Sequence, residues 1–532
     1  MSGLASRFAA LVALAALVLG APSPARAQTA DSARRYWIVV DAFVPGPAPS
    51  ERAVARRALR GTSAPPADRT VAPHVREALT ALGVTPVVES RWLGALSAPL
   101  TADQRQAVAA LPFVREVRPV ARVAEASVAS QEPLVPLAPL LPRPPDAGPS
   151  LPQLQSIGAD ALLDAGYIGT GVRVGYLDTL FDFAHPALSQ IGANGRLIAV
   201  QDFTGLPQAN YHGLATTSVG LGYAPGQLIG PGWGAEVLGA TTEYAPTETH
   251  AEEDYFIAGI EWLESQGVDV VSISLGYSTF DPGEGDYTYA DLDGDTTPFT
   301  RAADRAATLG VVVVTSAGNE GASPWHFITA PADGDSVIAV GAVTPSGQRA
   351  GFSGWGPTAD GRTKPDVAAQ GTQIVYAVPG GFGSGGSGTS FSAPLVSGVV
   401  AQLLQARPSL TPMQVREALR STASQASAPD NSLGWGVVNA TAALAFVTTV
   451  PPEPGGPAWR LYPTVTRSGA PLTVETPEPV ALDVVDAFGR VVARFGAAPL
   501  GRRTVAVPDL PGGVYFIQPD AALPALRIVV VR

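Results

Sequence analysis

The amino-acid sequence predicts an α/β domain over residues 151–448, built on a parallel sheet with helices on both faces. The first observation is that apolar runs of strand length alternate with longer segments of helical pattern. The second is that these runs are continuous, as is typical of strands buried on both faces of a parallel sheet. In order, the predicted strands are 172–177, 236–240, 268–274, 311–315 and 337–341, and the predicted helices are 252–266 and 300–309.

A smaller α+β domain is predicted over residues 28–124. In order, it has a strand at 36–40, a helix at 74–82, strands near 87–88 and 93–96, a second helix carrying Val108 and Leu111, and a last strand near 114–117. Thr101 and Gln104 form a capping box that marks the start of the second helix. This succession predicts a ferredoxin-like βαββαβ unit.

The C-terminal region changes character again. After residue 458, short apolar runs are separated by turn residues, which predicts a small β-sandwich over 459–532. Pro-rich segments at 125–150 and 449–458 separate the three domains and are expected to be extended linkers.

The first 27 residues have the pattern of an export signal. Arg7 precedes an apolar run over 8–19, and Ala25-Arg26-Ala27 offers a small-x-small cleavage site before Gln28. The run is too short for a permanent transmembrane anchor, so a secreted or cell-surface protein is expected. A buried N-terminal helix is the alternative interpretation.

Composition excludes several classes of function. The 532 residues include no Cys, which rules out disulfides, thiolate zinc sites and a Cys nucleophile. A formal charge of -12 argues against nucleic acid as a partner, because phosphate binding needs clustered cations. An apolar content of 46% is that of a globular protein.

Four polar side chains occupy positions suited to acyl transfer. Asp178 ends a predicted buried strand, at the edge where parallel sheets place their sites, and His212 follows it in the chain. The helix that should carry His212 is weakly predicted, because Gly220 interrupts its pattern early. Ser390 precedes a long apolar helix whose N-terminus favours negative charge, and Asn319 follows the strand 311–315 in a turn that suits an oxyanion donor.

The order Asp…His…Ser distinguishes between serine-hydrolase architectures. These segments, with Gly388-Thr389-Ser390 and Ala317-Gly318-Asn319, resemble the subtilase family of serine proteases over about residues 151–445. The resemblance implies that Ser390 is the nucleophile, that His212 is the general base and then acid, and that Asp178 orients the imidazole. Asn319 would stabilise the oxyanion, and this chemistry requires no cofactor.

The resemblance also implies where a peptide substrate binds. Ser274, Leu275 and Gly276 resemble the family strand that pairs with the substrate backbone, and Ala317 and Gly318 would line the same cleft. Protein or peptide substrates are therefore the expected partners.

Two positions depart from the family pattern. Leu180 stands where a Gly usually follows the catalytic Asp by two residues, and Leu214 stands where a Thr usually follows His-Gly. They leave open a competing interpretation, a non-catalytic surface-displayed binding protein on the same scaffold.

Both flanking domains also resemble known modules. Residues 28–124 resemble the inhibitory propeptide that precedes subtilase domains, which implies synthesis as a zymogen; a permanent N-terminal domain is the alternative. The C-terminal segments 462–464, 486–490 and 510–515 resemble the sorting domain of the type IX secretion system, which implies the secretion machinery as a partner. A carbohydrate- or partner-binding β-module is the alternative there.

An acidic loop offers oxygen ligands. Asp291-Leu292-Asp293-Gly294-Asp295 lies near Asp281, Glu284 and Asp286 in the chain and could supply a structural calcium site. An exposed acidic loop is the alternative, and the sequence leaves the metal question open.

Overall fold

The structure is a computed structural model that describes residues 34–62, 69–120 and 146–449, together with the strands between 460 and 531 and three adjoining residues. The predicted export signal over 1–27 and most of both predicted linkers lie outside the described residues. The chain divides into two compact units. The first comprises Met1–Gly46 and Arg69–Ala121, and the second comprises Pro47–Asp68 and Arg122–Arg532.

The first unit is a four-stranded sheet with two helices, which lie at 73–81 and 102–109. In chain order, the N-terminal region contains β1 (Arg34–Val40), β2 (Phe43–Pro45), α1 (Glu51–Leu59), β3 (Arg69–Val71), α2 (Pro73–Ala81), β4 (Val88–Ser90), β5 (Ala95–Leu100), α3 (Ala102–Ala109) and β6 (Val114–Pro119). The four-stranded sheet has the order β4-β5-β1-β6, with antiparallel neighbours. This is the strand order of a βαββαβ ferredoxin-like unit, which confirms the prediction. Ile38, Leu79 and Leu96 are fully buried in its core.

One segment of the N-terminal region leaves this unit. β2 and β3 pair with Pro45 opposite Arg69, so the chain between them departs and returns at one place. The departing segment carries α1 and belongs to the second unit. This helix was not predicted from the sequence.

The second unit contains the main sheet. In chain order, its elements to residue 449 are α4 (Leu151–Gln155), α5 (Ala159–Asp164), β7 (Arg173–Asp178), α6 (Ser189–Ala193), β8 (Leu197–Asp202), α7 (His212–Leu221), β9 (Tyr223–Ala224), β10 (Leu228–Ile229), β11 (Glu236–Thr241), α8 (Ala251–Ser265), β12 (Val270–Ile273), α9 (Pro298–Thr308), β13 (Val312–Ser316), β14 (Ile338–Val343), β15 (Val367–Gln370), β16 (Ile374–Val378), β17 (Gly381–Gly386), α10 (Thr389–Ala406), α11 (Pro412–Thr422) and α12 (Ala440–Thr449). A short 3₁₀ turn, Gly148–Ser150, precedes α4, and Ser150 is buried. Described residues thus pack against this unit a few positions before the predicted boundary at 151.

Seven parallel strands form this sheet in the order β15-β14-β13-β12-β7-β11-β8. Alternate residues of β7 face opposite sides. A Cβ added to Gly175 would lie 2.8 Å from Leu263 of α8, whereas Tyr176 approaches Gly220 of α7. Helices therefore cover both faces of the sheet, as predicted.

The His212 helix is complete despite its weak pattern. α7 runs from His212 to Leu221. A Cβ on Gly220 would lie 2.2 Å from the Tyr176 hydroxyl and 3.0 Å from the backbone oxygen of Pro394. Gly220 is therefore the residue that lets α7 approach both β7 and α10, and packing outweighs its low helix propensity.

The C-terminal strands form two sheets. They are β18 (Arg460–Tyr462), β19 (Val465–Arg467), β20 (Pro471–Thr476), β21 (Leu482–Asp486), β22 (Val491–Phe495), β23 (Gly501–Ala506), β24 (Gly513–Pro519) and β25 (Leu526–Val531). One sheet has the order β18-β20-β23 and the other β19-β25-β24-β21-β22. Short strands are present as predicted, while their packing as a sandwich stays a prediction. Across the part of the chain that the structure describes, no helix combines the length and apolarity needed to cross a membrane.

Candidate active site

The site is centred on a hydrogen bond between Asp178 and His212. The two residues lie at the end of β7 and at the start of α7, so the fold brings together positions far apart in sequence. Nδ1–H of His212 donates to Asp178 Oδ1 over 2.8 Å. This bond fixes the ring and leaves Nε2 as the nitrogen that can accept a proton. Asp178 is fully buried, and the His212 side chain is 30% exposed, so only the imidazole is open to solvent.

Two threonines hold the Asp178 carboxylate. Thr216 Oγ1 donates to Asp178 Oδ2 over 2.8 Å, and the backbone N–H of Thr179 donates to Oδ1 over 2.7 Å. Both oxygens of a fully buried carboxylate are therefore hydrogen-bonded. Sequence reasoning missed Thr216, although its position four residues after His212 puts both side chains on one face of a helix.

The electrostatic surroundings favour the charged imidazole. Burial opposes protonation of His212, but the charge and hydrogen bond of Asp178, with a smaller effect of Glu243, outweigh it and raise the pKa of His212 above its ordinary value. The site is thus arranged to stabilise a positive charge that forms on this ring.

Ser390 is the second residue of α10 and is half-buried. Its hydroxyl donates to the Ser274 backbone oxygen over 3.1 Å, and Ser274 Oγ donates back to the Ser390 backbone oxygen over 2.9 Å. The structure therefore shows the serine hydroxyl bonded to the end of β12, not to His212. Rotation of the side chain is needed to redirect this hydroxyl, and such bonds are often formed only when a substrate is present.

Asn319 is held in place by its amide oxygen. Its Oδ1 accepts from the Thr389 backbone N–H over 2.9 Å and from Thr389 Oγ1 over 3.0 Å. Because the oxygen is engaged, the Nδ2 donors point away from Thr389. Gly318 precedes it with φ of +95°, and a Cβ there would lie 2.6 Å from Glu320 Oε2. The turn therefore requires glycine.

The predicted substrate-binding residues differ in how many of their backbone groups are free to hydrogen-bond with a peptide. Gly276 is exposed and forms no backbone hydrogen bond with any described residue, so it is free to pair with an added strand. Leu275 and Ser274 are buried beside it, and the Leu275 oxygen accepts from Ser316 Oγ.

The other two predicted residues are more constrained. Ala317 is buried, and its backbone N–H and oxygen are bonded to Val340 and Thr329. The Gly318 oxygen accepts from the Gly354 N–H over 2.9 Å. These hydrogen bonds fix the backbone of Ala317 and Gly318, and so hold the turn that carries Asn319.

The two departures from the family pattern lie next to each other. Leu214 is fully buried, and its N–H donates to the Leu180 oxygen over 3.1 Å. A Cβ on Gly213 would lie 2.9 Å from that same oxygen. Both leucines therefore pack beside the Asp178–His212 pair, and their side chains form none of its hydrogen bonds.

A cluster of carboxylates lies beyond His212. Glu243, Glu248 and Glu252 each bring an oxygen within 4.8 Å of the others, and Glu243 Oε2 accepts from the Tyr277 hydroxyl over 2.8 Å. Burial raises the pKa of all three glutamates, and their mutual repulsion contributes for Glu248 and Glu252. Sequence reasoning missed this cluster, which combines a loop with the first turn of α8.

The acidic loop singled out for calcium uses its carboxylates in turns. Asp293 Oδ1 accepts from the N–H groups of Asp295 and Thr296 over 2.9 and 2.8 Å, and Asp291 accepts from Thr288 over 2.7 Å. These bonds stabilise local turns. A calcium site there stays a prediction.

Comparisons with known proteins give the family of the chain. A sequence model of the subtilase family, Peptidase S8, matches residues 169–436, and a Peptidase S8 propeptide domain of Bacteroidota matches residues 43–133. Subtilisin E of Bacillus subtilis is 33% identical over 302 residues, covering 54% of this chain and 70% of that protein. Subtilisin of Bacillus pumilus is 32% identical over 300 residues, covering 54% and 97%. A solved structure of the self-cleaved protease domain of PatA is 27% identical with a TM-score of 0.41, covering 52% of this chain and 96% of that one.

The fold and the family matches define a serine-type endopeptidase preceded by a propeptide domain. The chain belongs to the subtilase family.

Proposed function

We propose that the protein is a secreted endopeptidase, made as a zymogen, whose catalytic residues are Asp178, His212, Ser390 and Asn319. The observation that carries the assignment is the Asp178–His212 hydrogen bond of 2.8 Å, with the acid buried and the imidazole open to solvent. A buried acid bonded to a partly exposed histidine is what general-base catalysis needs.

The reaction follows from the positions of these groups. His212 Nε2 takes the proton of the Ser390 hydroxyl as the oxygen attacks the scissile carbonyl carbon. The oxyanion accepts hydrogen bonds from Asn319 Nδ2 and from a backbone N–H at the start of α10. His212 then gives its proton to the leaving amine, and the acyl-enzyme is hydrolysed by a water that His212 deprotonates in the same way. No cofactor takes part in these steps.

Substrate would bind by strand addition beside the site. The exposed Gly276 backbone pairs with no other described residue, and Ser274 ties the same segment to Ser390. An extended peptide paired with Gly276 would thus pass close to the nucleophile. Ser390→Ala should abolish peptide hydrolysis while the protein stays folded, and wild-type activity in that variant would refute the assignment.

Maturation is proposed to remove the N-terminal region. The match to a Peptidase S8 propeptide domain supports an inhibitory role for it. A cut in the Pro-rich segment over 125–145 should appear in wild-type protein, and Ser390→Ala should accumulate the longer chain if the cut is autocatalytic. Finding the domain covalently attached in fully active enzyme would favour a permanent domain.

The C-terminal region is proposed as a sorting domain of the type IX secretion system, on the resemblance of its segments alone. Deleting residues 458–532 should leave peptidase activity unchanged while blocking export in the native host. A truncated enzyme that is exported but no longer binds an insoluble substrate would indicate a binding module.

A further inference from the structure

The departing segment of the N-terminal region presents a row of arginines to the rest of the second unit. Arg52, Arg56 and Arg60 of this segment follow one another at four-residue spacing, with Arg57 beside them, so they share one face of α1 and its end. Ser50 caps the helix and donates its own backbone N–H to the Ser265 oxygen over 2.9 Å. The segment is therefore anchored to the end of α8 from its first turn.

Two of these arginines enclose a single carboxylate. Arg57 Nε and Nη2 donate to the two oxygens of Glu264 over 2.9 and 2.7 Å, and Arg56 contacts Glu264 Oε1 as well. The side chain of Glu264 is fully buried. This is the planar two-point pairing that makes arginine selective for carboxylates.

The other two arginines hold a second carboxylate. Arg60 Nη2 lies 3.0 Å from Asp269 Oδ1, and Arg52 Nη2 lies 2.7 Å from Asp269 Oδ2. Asp269 Oδ2 also accepts from the backbone N–H of Arg173 over 3.0 Å. Asp269 thus links α1 to the beginnings of β7 and β12.

The same side chains also satisfy backbone carbonyls. Arg56 Nη1 donates to the Val268 oxygen over 2.6 Å, and Arg60 Nη1 donates to the Gly310 oxygen over 2.5 Å. Thr62 Oγ1 donates to the Leu309 oxygen over 3.3 Å. These carbonyls lie in the segments that follow α8 and α9. Residues 50–62 therefore contact the chain where it leaves both helices.

This contact is far from the proposed catalytic residues. Asp269 and Gly310 precede β12 and β13, so α1 lies at the amino edge of the sheet, whereas Asp178 lies at its carboxyl edge. β7 alone separates the two edges by about 17 Å at ~3.3 Å per residue. The α1 contact is therefore separate from the proposed catalytic site.

We propose that residues 50–62 are a second docking site for the N-terminal region, recognised by Glu264 and Asp269, which keeps that region bound after the chain is cut between 125 and 145. Dissociation of the segment would break the paired hydrogen bonds of Arg57 with Glu264 and the ion pairs of Arg52 and Arg60 with Asp269, which favours the bound state. This inference goes beyond the proposed catalysis and rests on the proposed maturation cut, which the test below makes with an added protease.

The test uses the full chain carrying Ser390→Ala, with the recognition site of a specific added endopeptidase inserted between Pro136 and Leu137. After that protease cuts the chain, dissociation of the two fragments is followed by native gel filtration over a dilution series. The wild-type segment should keep the fragments together, and Arg56→Gln with Arg57→Gln should raise the dissociation constant at least thirtyfold. Arg76→Gln is the matched control, because its exposed ion pair with Glu89 lies inside the first unit.

Two further variants keep the test decisive if the double variant folds poorly. Arg57→Lys retains the charge but loses the two-point pairing, and Glu264→Gln removes the partner carboxylate. Each should weaken association, and combining them should add little beyond the larger single effect, as expected for direct partners. The proposal would be overturned if the two fragments of the cleaved chain with an unaltered segment separated at once. It would also be overturned if the substituted chains had the same dissociation constant as the unaltered one.

Discussion

Thr216 donates its hydroxyl to the Asp178 carboxylate over 2.8 Å from a position one helical turn after His212. The helix that delivers the imidazole to Asp178 therefore also holds the second oxygen of the same acid. Both contacts depend on the register of α7, so a small rotation of this helix would disturb them together.

Replacing Thr216 by Val should lower kcat about 10- to 100-fold with little change in KM, because a hydrogen bond to a charged group contributes about 1.5–3 kcal/mol. Thr216→Ser should restore most of the activity. Thr217→Val is the matched control, since the buried Thr217 hydroxyl has no partner among the described residues. Equal kinetics for Thr216→Val and Thr217→Val would show that the carboxylate does not depend on this donor.

The Asn319 amide should act mainly on the transition state. Asn319→Ala is expected to reduce kcat by about 10²- to 10³-fold while KM changes little. Thr389→Val removes one of the two donors that hold Asn319 Oδ1 but leaves the backbone N–H in place. Its effect on kcat should therefore be smaller. A larger loss from Thr389→Val than from Asn319→Ala would contradict an Asn319 amide that points its nitrogen at the oxyanion.

The pH dependence follows from the raised pKa of His212. A general base works only when deprotonated, so activity should fall as the pH drops through this pKa. The acid limb of kcat/KM should then lie above the ordinary histidine value of 6.5. Glu243→Gln removes a carboxylate that helps to raise the pKa of His212 and should move the limb to lower pH, by only a small amount because burial raises the pKa of Glu243 to about 7. A limb at or below 6.5 in wild type would be inconsistent with the Asp178–His212 pairing.

The buried Asp366 should contribute strongly to stability. Its carboxylate is fully buried and bonded to Lys364 over 2.9 Å, to Arg416 over 2.7 Å and to Arg420. Asp366→Asn leaves buried cations unpaired and should lower the free energy of unfolding by about 3–5 kcal/mol. Urea unfolding in the Ser390→Ala background measures this without self-digestion.

A matched control and a pH test accompany this variant. The Asp360 side chain, which pairs with Arg362, is 40% exposed. Asp360→Asn should therefore lower the free energy of unfolding by at most about 1 kcal/mol. Burial alone would raise the pKa of Asp366, but Arg416, Lys364 and Arg420 together hold it well below its usual range. Its stabilisation should therefore be complete above pH 3.8 and be lost as the pH falls below that value. If Asp366→Asn lowered the free energy of unfolding by no more than Asp360→Asn does, the stabilising role of the buried Asp366 would be contradicted.

The sequence predicts the sheet and the four candidate catalytic residues because their signals are local. β12 and β13 are continuous Val-rich runs, and each candidate residue stands at the end of such a run or at a helix start. The two edge strands, β8 and β15, were not predicted: β8 has mostly exposed side chains, and β15 is a run of only four residues. For α1 the reason is different: its buried residues are Ala53, Arg56 and Arg57, so no apolar stripe marks it.

Contacts that depend on tertiary structure could not be predicted. The clustering of Glu243 with Glu248 and Glu252 depends on how a loop folds back on α8, and nothing in their spacing indicates it. The Ser390 hydroxyl bonded to Ser274 is likewise visible only in the structure.

The most direct test of the central claim is covalent labelling with a fluorophosphonate, read out by peptide mass spectrometry. The account predicts one label per mature wild-type chain, on the peptide that contains Ser390, and none on Ser390→Ala. A folded wild-type protein that takes no label, or that is labelled equally after Ser390→Ala, would show that Ser390 is not the activated nucleophile.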